Sequence, residues 1–108
     1  MAEYVLVQWT TDDLKEAKGI LSDLLESRCV ACGMIYPGVT SIYQWNGKIE
    51  EAMEFVIVMK TREEYYNLIE SYILENHSYI VAEVIAIPIY NGSKRYLDWI
   101  DQETLNSS

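Results

Sequence analysis

The chain has 108 residues, of which half are apolar and 23% are charged, and this predicts one globular domain over residues 1–108. Seventeen acidic against eight basic residues give a formal charge of −9, which disfavours binding to nucleic-acid phosphates. No apolar run approaches the roughly 20 residues of a membrane helix, and no signal peptide is recognisable. We therefore expect a cytoplasmic protein without nucleic-acid or membrane partners.

The first quarter of the chain predicts a strand and then an amphipathic helix. Residues Tyr4 to Trp9 place apolar side chains on both faces of the extended chain, as a buried central strand requires. Thr10-Thr11-Asp12-Asp13 supplies the hydroxyl and carboxylate caps of a helix start. Five apolar residues then recur at helical spacing: Leu14, Ala17, Leu21, Leu24 and Leu25.

A long β-hairpin is predicted next. The second strand is expected from near Cys29 through Tyr36, is interrupted at Pro37-Gly38, and resumes from Ser41 to Trp45. Asn46-Gly47 favours a type I′ turn because both residues tolerate positive φ. Each strand of this hairpin would have about fifteen residues, against the usual five or six, so the hairpin should extend beyond its own core.

The second half of the chain predicts a helix, a strand and a last helix. Thr61-Arg62-Glu63-Glu64 has the pattern of a capping box, and the helix after it should end near Asn76. A fourth strand is predicted from Val81 to Tyr90, at a sheet edge because Pro88 lacks a donor. Ser93 is the predicted cap of the last helix, and the polar tail beyond it is expected to fray.

The order strand, helix, strand, strand, helix, strand, followed by a short C-terminal helix, predicts an α+β fold. Two helices on one face of an antiparallel sheet give the ferredoxin-like βαββαβ sandwich.

Short blocks along nearly the whole chain carry a family resemblance. They are Ala31-Cys32, Pro37 to Tyr43, Trp45 to Glu50, Lys60-Thr61, His77 with Tyr79, Glu83 to Ile89, and Tyr96 to Ile100. In this order they resemble the CutA family, and the Pro-Gly-Val-Thr-Ser-Ile-Tyr block before Trp-Asn-Gly-Lys-Ile-Glu is specific. The resemblance implies a ferredoxin-like subunit that assembles into a homotrimer and a link to divalent-cation tolerance, chiefly of copper.

The chain departs from the family where a metal would bind. The family usually reads His-Pro-Tyr-Glu before the last core strand, whereas this chain reads His77-Ser78-Tyr79-Ile80. Some bacterial members are credited with a copper site made by a Cys at the end of the first strand and a His-His pair. The matching positions here are Trp9, Asn76 and His77, so one ligand of three is present.

The candidate metal ligands are His77, Cys32 and Glu83, for copper(II) or another divalent cation that is weakly bound and not required for folding. His77 is the single imidazole of the chain, but it could equally be a stabilising cap at a helix end. Cys29 and Cys32 form a C-x-x-C, yet in a strand such residues point to opposite faces, which favours core thiols. Cys32 alone, which matches the family cysteine, could also be a ligand or a reactive thiol.

The hairpin tip is the candidate trimer interface. Tyr43, Trp45 and Ile49 would be exposed apolar side chains on a monomer, so we expect them to pack against a neighbouring subunit.

The sequence favours a non-enzymatic homotrimer that binds divalent cations in metal tolerance. It contains no phosphate-binding Gly-rich loop, nucleophile elbow or pair of metal-binding His. The alternative is a trimeric scaffold or small-ligand signalling module that resembles the nitrogen-regulatory proteins, with its ligand in clefts between subunits.

Overall fold

The computed structural model describes residues 3–79 and 81–104, and the last four residues of the predicted polar tail lie outside them. Within the described residues there are four strands, three α-helices and a 3₁₀ turn at Glu63–Tyr65. The elements in chain order are β1 (Tyr4–Thr11), α1 (Leu14–Glu26), β2 (Cys32–Trp45), β3 (Lys48–Arg62), α2 (Tyr66–Asn76), β4 (Val84–Pro88) and α3 (Lys94–Glu103). The predicted α+β order is confirmed.

The four strands form one antiparallel sheet in the order β2-β3-β1-β4, which is the ferredoxin-like arrangement. β4 is an edge strand, so Pro88 lies at an edge as predicted, where no ladder donor is needed. The strand is shorter than the predicted Val81 to Tyr90, because β1 pairs with β4 only from Val5 to Trp9.

One face of the sheet carries α1 and α2 and forms the hydrophobic core. Val5, Val7 and Trp9 alternate along β1 towards these helices and are buried, as are Ile57 and Met59 of β3. On α1, Asp13 accepts hydrogen bonds from the backbone N–H groups of the first turn, which confirms the predicted helix start.

The opposite face of the sheet is covered at one end only. There α3, which Ser93 caps as predicted, contacts the sheet through Asp101, whose carboxylate accepts a hydrogen bond from Tyr4 at 2.8 Å. We call this surface the open face. Its exposed apolar side chains are Met34, Tyr36, Ile85 and Ile87.

Two local predictions are wrong. Thr61 does not begin a capping box, because pairing with Val5 keeps it inside β3, where its hydroxyl donates to the Cys29 carbonyl at 2.6 Å. Cys29 does not begin β2, because Arg28 adopts a left-handed φ of 61° that ends α1 with a Cys29 N–H bond to the Leu24 carbonyl. Cys29 is therefore a buried turn residue, and β2 starts at Cys32.

The predicted long hairpin is present. Asn46 and Gly47 have φ values of 51° and 78°, as a type I′ turn requires, and Gly38 at φ 67° lies in a bulge between Tyr36 and Val39. β1 pairs with β3 only over residues 55–62, so residues 39–54 pair only with each other. We call residues 39–54 the arm. The arm contributes to the elongated shape of the described residues, which extend 47 Å along the longest principal axis and 26 Å and 22 Å along the other two.

At Gly33 the backbone of β2 lies close to the side chain of Leu21 on α1. A Cβ built on Gly33 would lie 2.9 Å from Cδ2 and 3.2 Å from Cγ of Leu21, which is itself buried. Gly33→Ala should therefore lower the free energy of unfolding by about 1–3 kcal/mol through overpacking.

The matched control is Gly19→Ala, on the exposed side of α1. Its Cβ would meet nothing within 4 Å, so alanine should stabilise the helix by about 0.5–1 kcal/mol. Urea unfolding at one fixed protein concentration measures both changes. Equal stability of the two variants would contradict the close packing of β2 on α1.

Candidate functional site

His77 is the first residue after α2, and its side chain is directed inward. Only 1% of the side chain is exposed. The ring makes edge-to-face contacts with Trp9 and Tyr79, at centroid distances of 5.5 Å and 4.7 Å. His77 therefore belongs to the helix-face core, beside the end of β1.

Two groups compete for Nδ1 of His77. The indole Nε1–H of Trp9 donates to it at 3.0 Å, while Oε2 of Glu16 lies 3.3 Å from the same atom. One ring nitrogen cannot both accept from Trp9 and donate to Glu16. Nε2 is also buried and has no hydrogen-bond partner among the described residues.

The Trp9 bond decides which nitrogen of neutral His77 can bind a cation. When Nδ1 accepts from Trp9, the single ring proton is on Nε2, and Nε2 has no lone pair to offer. The other tautomer places the proton on Nδ1, facing Glu16, and frees Nε2, but it leaves the Trp9 N–H without its acceptor. Cation binding at Nε2 therefore competes with a core hydrogen bond.

Glu16 is held in place by hydroxyl groups. Its Oε2 accepts from Thr11 Oγ1 at 2.7 Å, and Ser78 Oγ lies 3.5 Å from the same oxygen. A carboxylate of α1 is therefore positioned against the imidazole. Sequence reasoning missed Glu16, because its approach to His77 depends on how α1 packs beside α2.

Tyr79 attaches the segment after α2 to the sheet. Its hydroxyl donates to Glu54 Oε2 at 3.0 Å. Burial raises the pKa of the Tyr79 phenol above its ordinary value, and the bond to Glu54 raises it further, so the phenol remains a donor at neutral pH. This contact connects His77 to the base of the arm, where Glu54 lies.

The structure does not bring the other two candidate ligands to His77. Cys32 lies on the open face, with Sγ 3.6 Å from the hydroxyl of Tyr96. Glu83 accepts a hydrogen bond from Gln8 on the same face, at 2.9 Å. Over residues 3–79 and 81–104, no cluster of three or more His, Cys, Asp and Glu side chains could hold a metal ion.

The predicted interface residues lie on both faces of the arm. Tyr43 and Trp45 share one face, and alternation along the hairpin places Ile49 on the other. Two further apolar residues that sequence reasoning did not select, Ile42 and Met53, share the face of Ile49. Ile42, Ile49 and Met53 are 63%, 71% and 64% exposed, respectively.

Known proteins match this arrangement over almost the whole chain. The sequence pattern of the CutA1 divalent ion tolerance protein family matches residues 5–103. The divalent-cation tolerance protein CutA of Thermus thermophilus is 36% identical over 104 residues, which are 96% of this chain and 99% of that protein. The chloroplastic CutA protein of Arabidopsis thaliana is 33% identical over 102 residues, and the chain spans only 56% of that relative's length.

A solved structure has the same fold. It is the periplasmic divalent cation tolerance protein CutA from Archaeoglobus fulgidus, with a TM-score of 0.89, 39% identity, and coverage of 93% of this chain and 97% of that one. The family match runs from β1 through α3 and includes the arm, Trp9 and His77. The chain belongs to the CutA1 divalent ion tolerance family.

Proposed function

We propose that this protein is a homotrimer that takes part in divalent-cation tolerance, binds copper(II) or a similar cation weakly, and catalyses no reaction. The observation that supports assembly most directly is the arm, which has exposed apolar side chains on both faces. The proposal of three subunits, and not another number, rests on the resemblance to the CutA family.

Assembly would cover apolar surface whose exposure to water is unfavourable on a single chain. The three apolar side chains on one face of the arm, the aromatic pair on the other, and the open face together form an extensive exposed apolar surface. Monomeric proteins rarely expose large continuous apolar patches. Because both faces of the arm are affected, we propose that each arm lies between parts of the neighbouring subunits.

His77 is the proposed cation ligand. Stable copper or zinc sites have three or four ligands, whereas the described residues place one imidazole here, and the carboxylate of Glu16 faces its Nδ1 and not Nε2. Binding also competes with the Trp9 hydrogen bond. We therefore expect a dissociation constant of roughly micromolar or weaker, about −8 kcal/mol at best.

The shortage of ligands also favours a second function. In a trimeric scaffold or signalling module, a small ligand would lie in clefts between subunits and no metal would be needed. Calorimetry with copper(II) and zinc(II) separates the two functions. A cation-binding protein should give a saturable heat of binding, whereas a signalling module that needs no metal should give none.

Cytoplasmic location stays a prediction. Among the described residues, no helix is long and apolar enough to span a membrane. The relatives carry different location names, chloroplastic for the Arabidopsis protein and periplasmic for the Archaeoglobus structure.

Trp45→Glu should weaken the trimer by roughly tenfold or more, since it places a charge in a surface that assembly desolvates. Asn67→Glu is the matched control, because it adds the same charge at an exposed position of α2. Sedimentation velocity at micromolar concentration measures both. If the two variants sediment alike, the arm is not part of the interface.

His77→Asn should abolish most specific copper(II) binding. The amide oxygen of Asn can still accept from Trp9, so this variant removes the imidazole while preserving the buried hydrogen bond. Cys29→Ser is the control and should bind as the unsubstituted protein does, because Cys29 is buried in the turn after α1, where it is hydrogen-bonded to Leu24, Ser27 and Thr61. Unchanged calorimetric binding by His77→Asn would exclude His77 as the ligand.

Trp9→Phe tests the competition between Trp9 and the cation. Loss of the indole N–H removes the hydrogen bond that keeps the ring proton on Nε2. Copper(II) affinity should therefore rise about two- to tenfold, which corresponds to the usual net free energy of one hydrogen bond. Circular dichroism confirms that the variant is folded at the titration temperature. Lower affinity in the folded variant would contradict the tautomer argument.

A further inference from the structure

Two Asn-Gly pairs occur in the chain, Asn46-Gly47 at the tip of the arm and Asn91-Gly92 between β4 and α3. In such a pair the backbone nitrogen of glycine can attack the side-chain carbonyl carbon of asparagine, because glycine has no side chain to hinder the approach. The attack closes a succinimide ring only when rotation about the asparagine Cα–C bond brings these two atoms together. The backbone around each pair therefore decides how fast it reacts in the folded protein.

The hairpin ladder restrains Asn46. Asn46 and Gly47 have the positive φ values of a type I′ turn, and Trp45 pairs with Lys48 directly beside it. Such a turn fixes the rotation about the Cα–C bond of its first central residue within a narrow range. Rotation towards ring closure would break the pairing of Trp45 with Lys48. Asn46 is therefore protected while the arm is folded.

The segment that contains Asn91 has no such ladder. β4 ends at Pro88, and the next backbone hydrogen bond joins the Ile89 N–H to the Tyr4 carbonyl at 2.9 Å. Among the residues that the structure describes, none makes a hydrogen bond to the Asn91 side chain or to the Gly92 N–H. Both residues are exposed, and they belong neither to the arm nor to the exposed apolar residues of the open face. Rotation towards ring closure at Asn91 therefore breaks no backbone pairing.

We propose that Asn91 is a site of spontaneous deamidation in the folded protein and that it reacts faster than Asn46. The Gly92 nitrogen forms a bond to Cγ of Asn91, the side-chain nitrogen leaves as ammonia with the proton of the Gly92 N–H, and a succinimide results. Water then adds to either ring carbonyl and opens the ring to aspartate or isoaspartate. Asn91 thus loses one ammonia and gains one water. The reaction needs neither a cation nor a neighbouring subunit, so it is independent of the proposed function.

The products change the start of α3. Aspartate adds a negative charge just before the Ser93 cap, where a helix N-terminus favours it, to a chain whose formal charge is already −9. Isoaspartate instead lengthens the backbone next to Gly92. The backbone is closely packed there, since a Cβ on Gly92 would lie 3.0 Å from Cδ2 of Leu97 in α3. Isoaspartate should therefore disturb the start of α3 more than aspartate does.

The test incubates the native full-length protein at neutral pH and physiological temperature and follows both Asn-Gly pairs by peptide mapping with mass spectrometry. Asn46 should react more slowly than Asn91 by about two- to tenfold, the rate difference that corresponds to the net free energy of one ladder hydrogen bond. In guanidinium chloride, which removes the ladder, both pairs should react at similar rates. Equal native rates, faster native conversion of Asn46, or conversion of Asn91 only after unfolding would overturn the proposal.

Two variants assign the charge change to one pair. Isoelectric focusing of the incubated protein should show a more acidic species, because conversion of an amide to a carboxylate adds a negative charge. Asn91→Gln should lose most of this species, since the longer side chain closes its ring much more slowly. Asn46→Gly is the matched control, which keeps a residue suited to a type I′ turn and should form the acidic species as the unsubstituted protein does. An acidic species that persists undiminished in Asn91→Gln, or disappears in Asn46→Gly, would contradict the proposal.

Discussion

The arm is the constraint on which the proposed assembly depends. Its two strands pair only with each other, because β1 ends opposite Phe55 and offers no partner to residues 39–54. An isolated two-stranded hairpin is marginally stable in water. This one also exposes apolar side chains on both faces, which makes a free arm unfavourable. Contact with other subunits would therefore stabilise the arm and bury the open face beside it.

The helix face imposes a different constraint, since the single imidazole of the chain is part of the core. His77 is almost fully buried, accepts from Trp9, and is linked through Tyr79 to Glu54 at the base of the arm. A strong cation site would need an accessible lone pair and further ligands. The hydrogen bond to Trp9 stabilises the fold but withholds that lone pair, so stability and cation affinity are opposed at this residue.

Much of the fold could be predicted because local patterns agree with tertiary contacts. The turn at Asn46-Gly47, the cap at Ser93 and the alternation of β1 depend on adjacent residues. The capping box at Thr61 was wrong because a ladder with β1 outweighed a local pattern. The contacts between Glu16 and His77 and between Cys32 and Tyr96 could not be predicted, since each joins elements distant in sequence. The opposite faces of Tyr43 and Ile49 required the strand register.

The mass of the unsubstituted protein in solution tests the account most directly. Light scattering or native mass spectrometry at micromolar concentration, without added metal, should show one species of three chains, each of 12.5 kDa. Three chains would agree with an arm covered by neighbouring subunits. A stable species of 12.5 kDa would show that the arm and the open face remain in water, and would contradict the account.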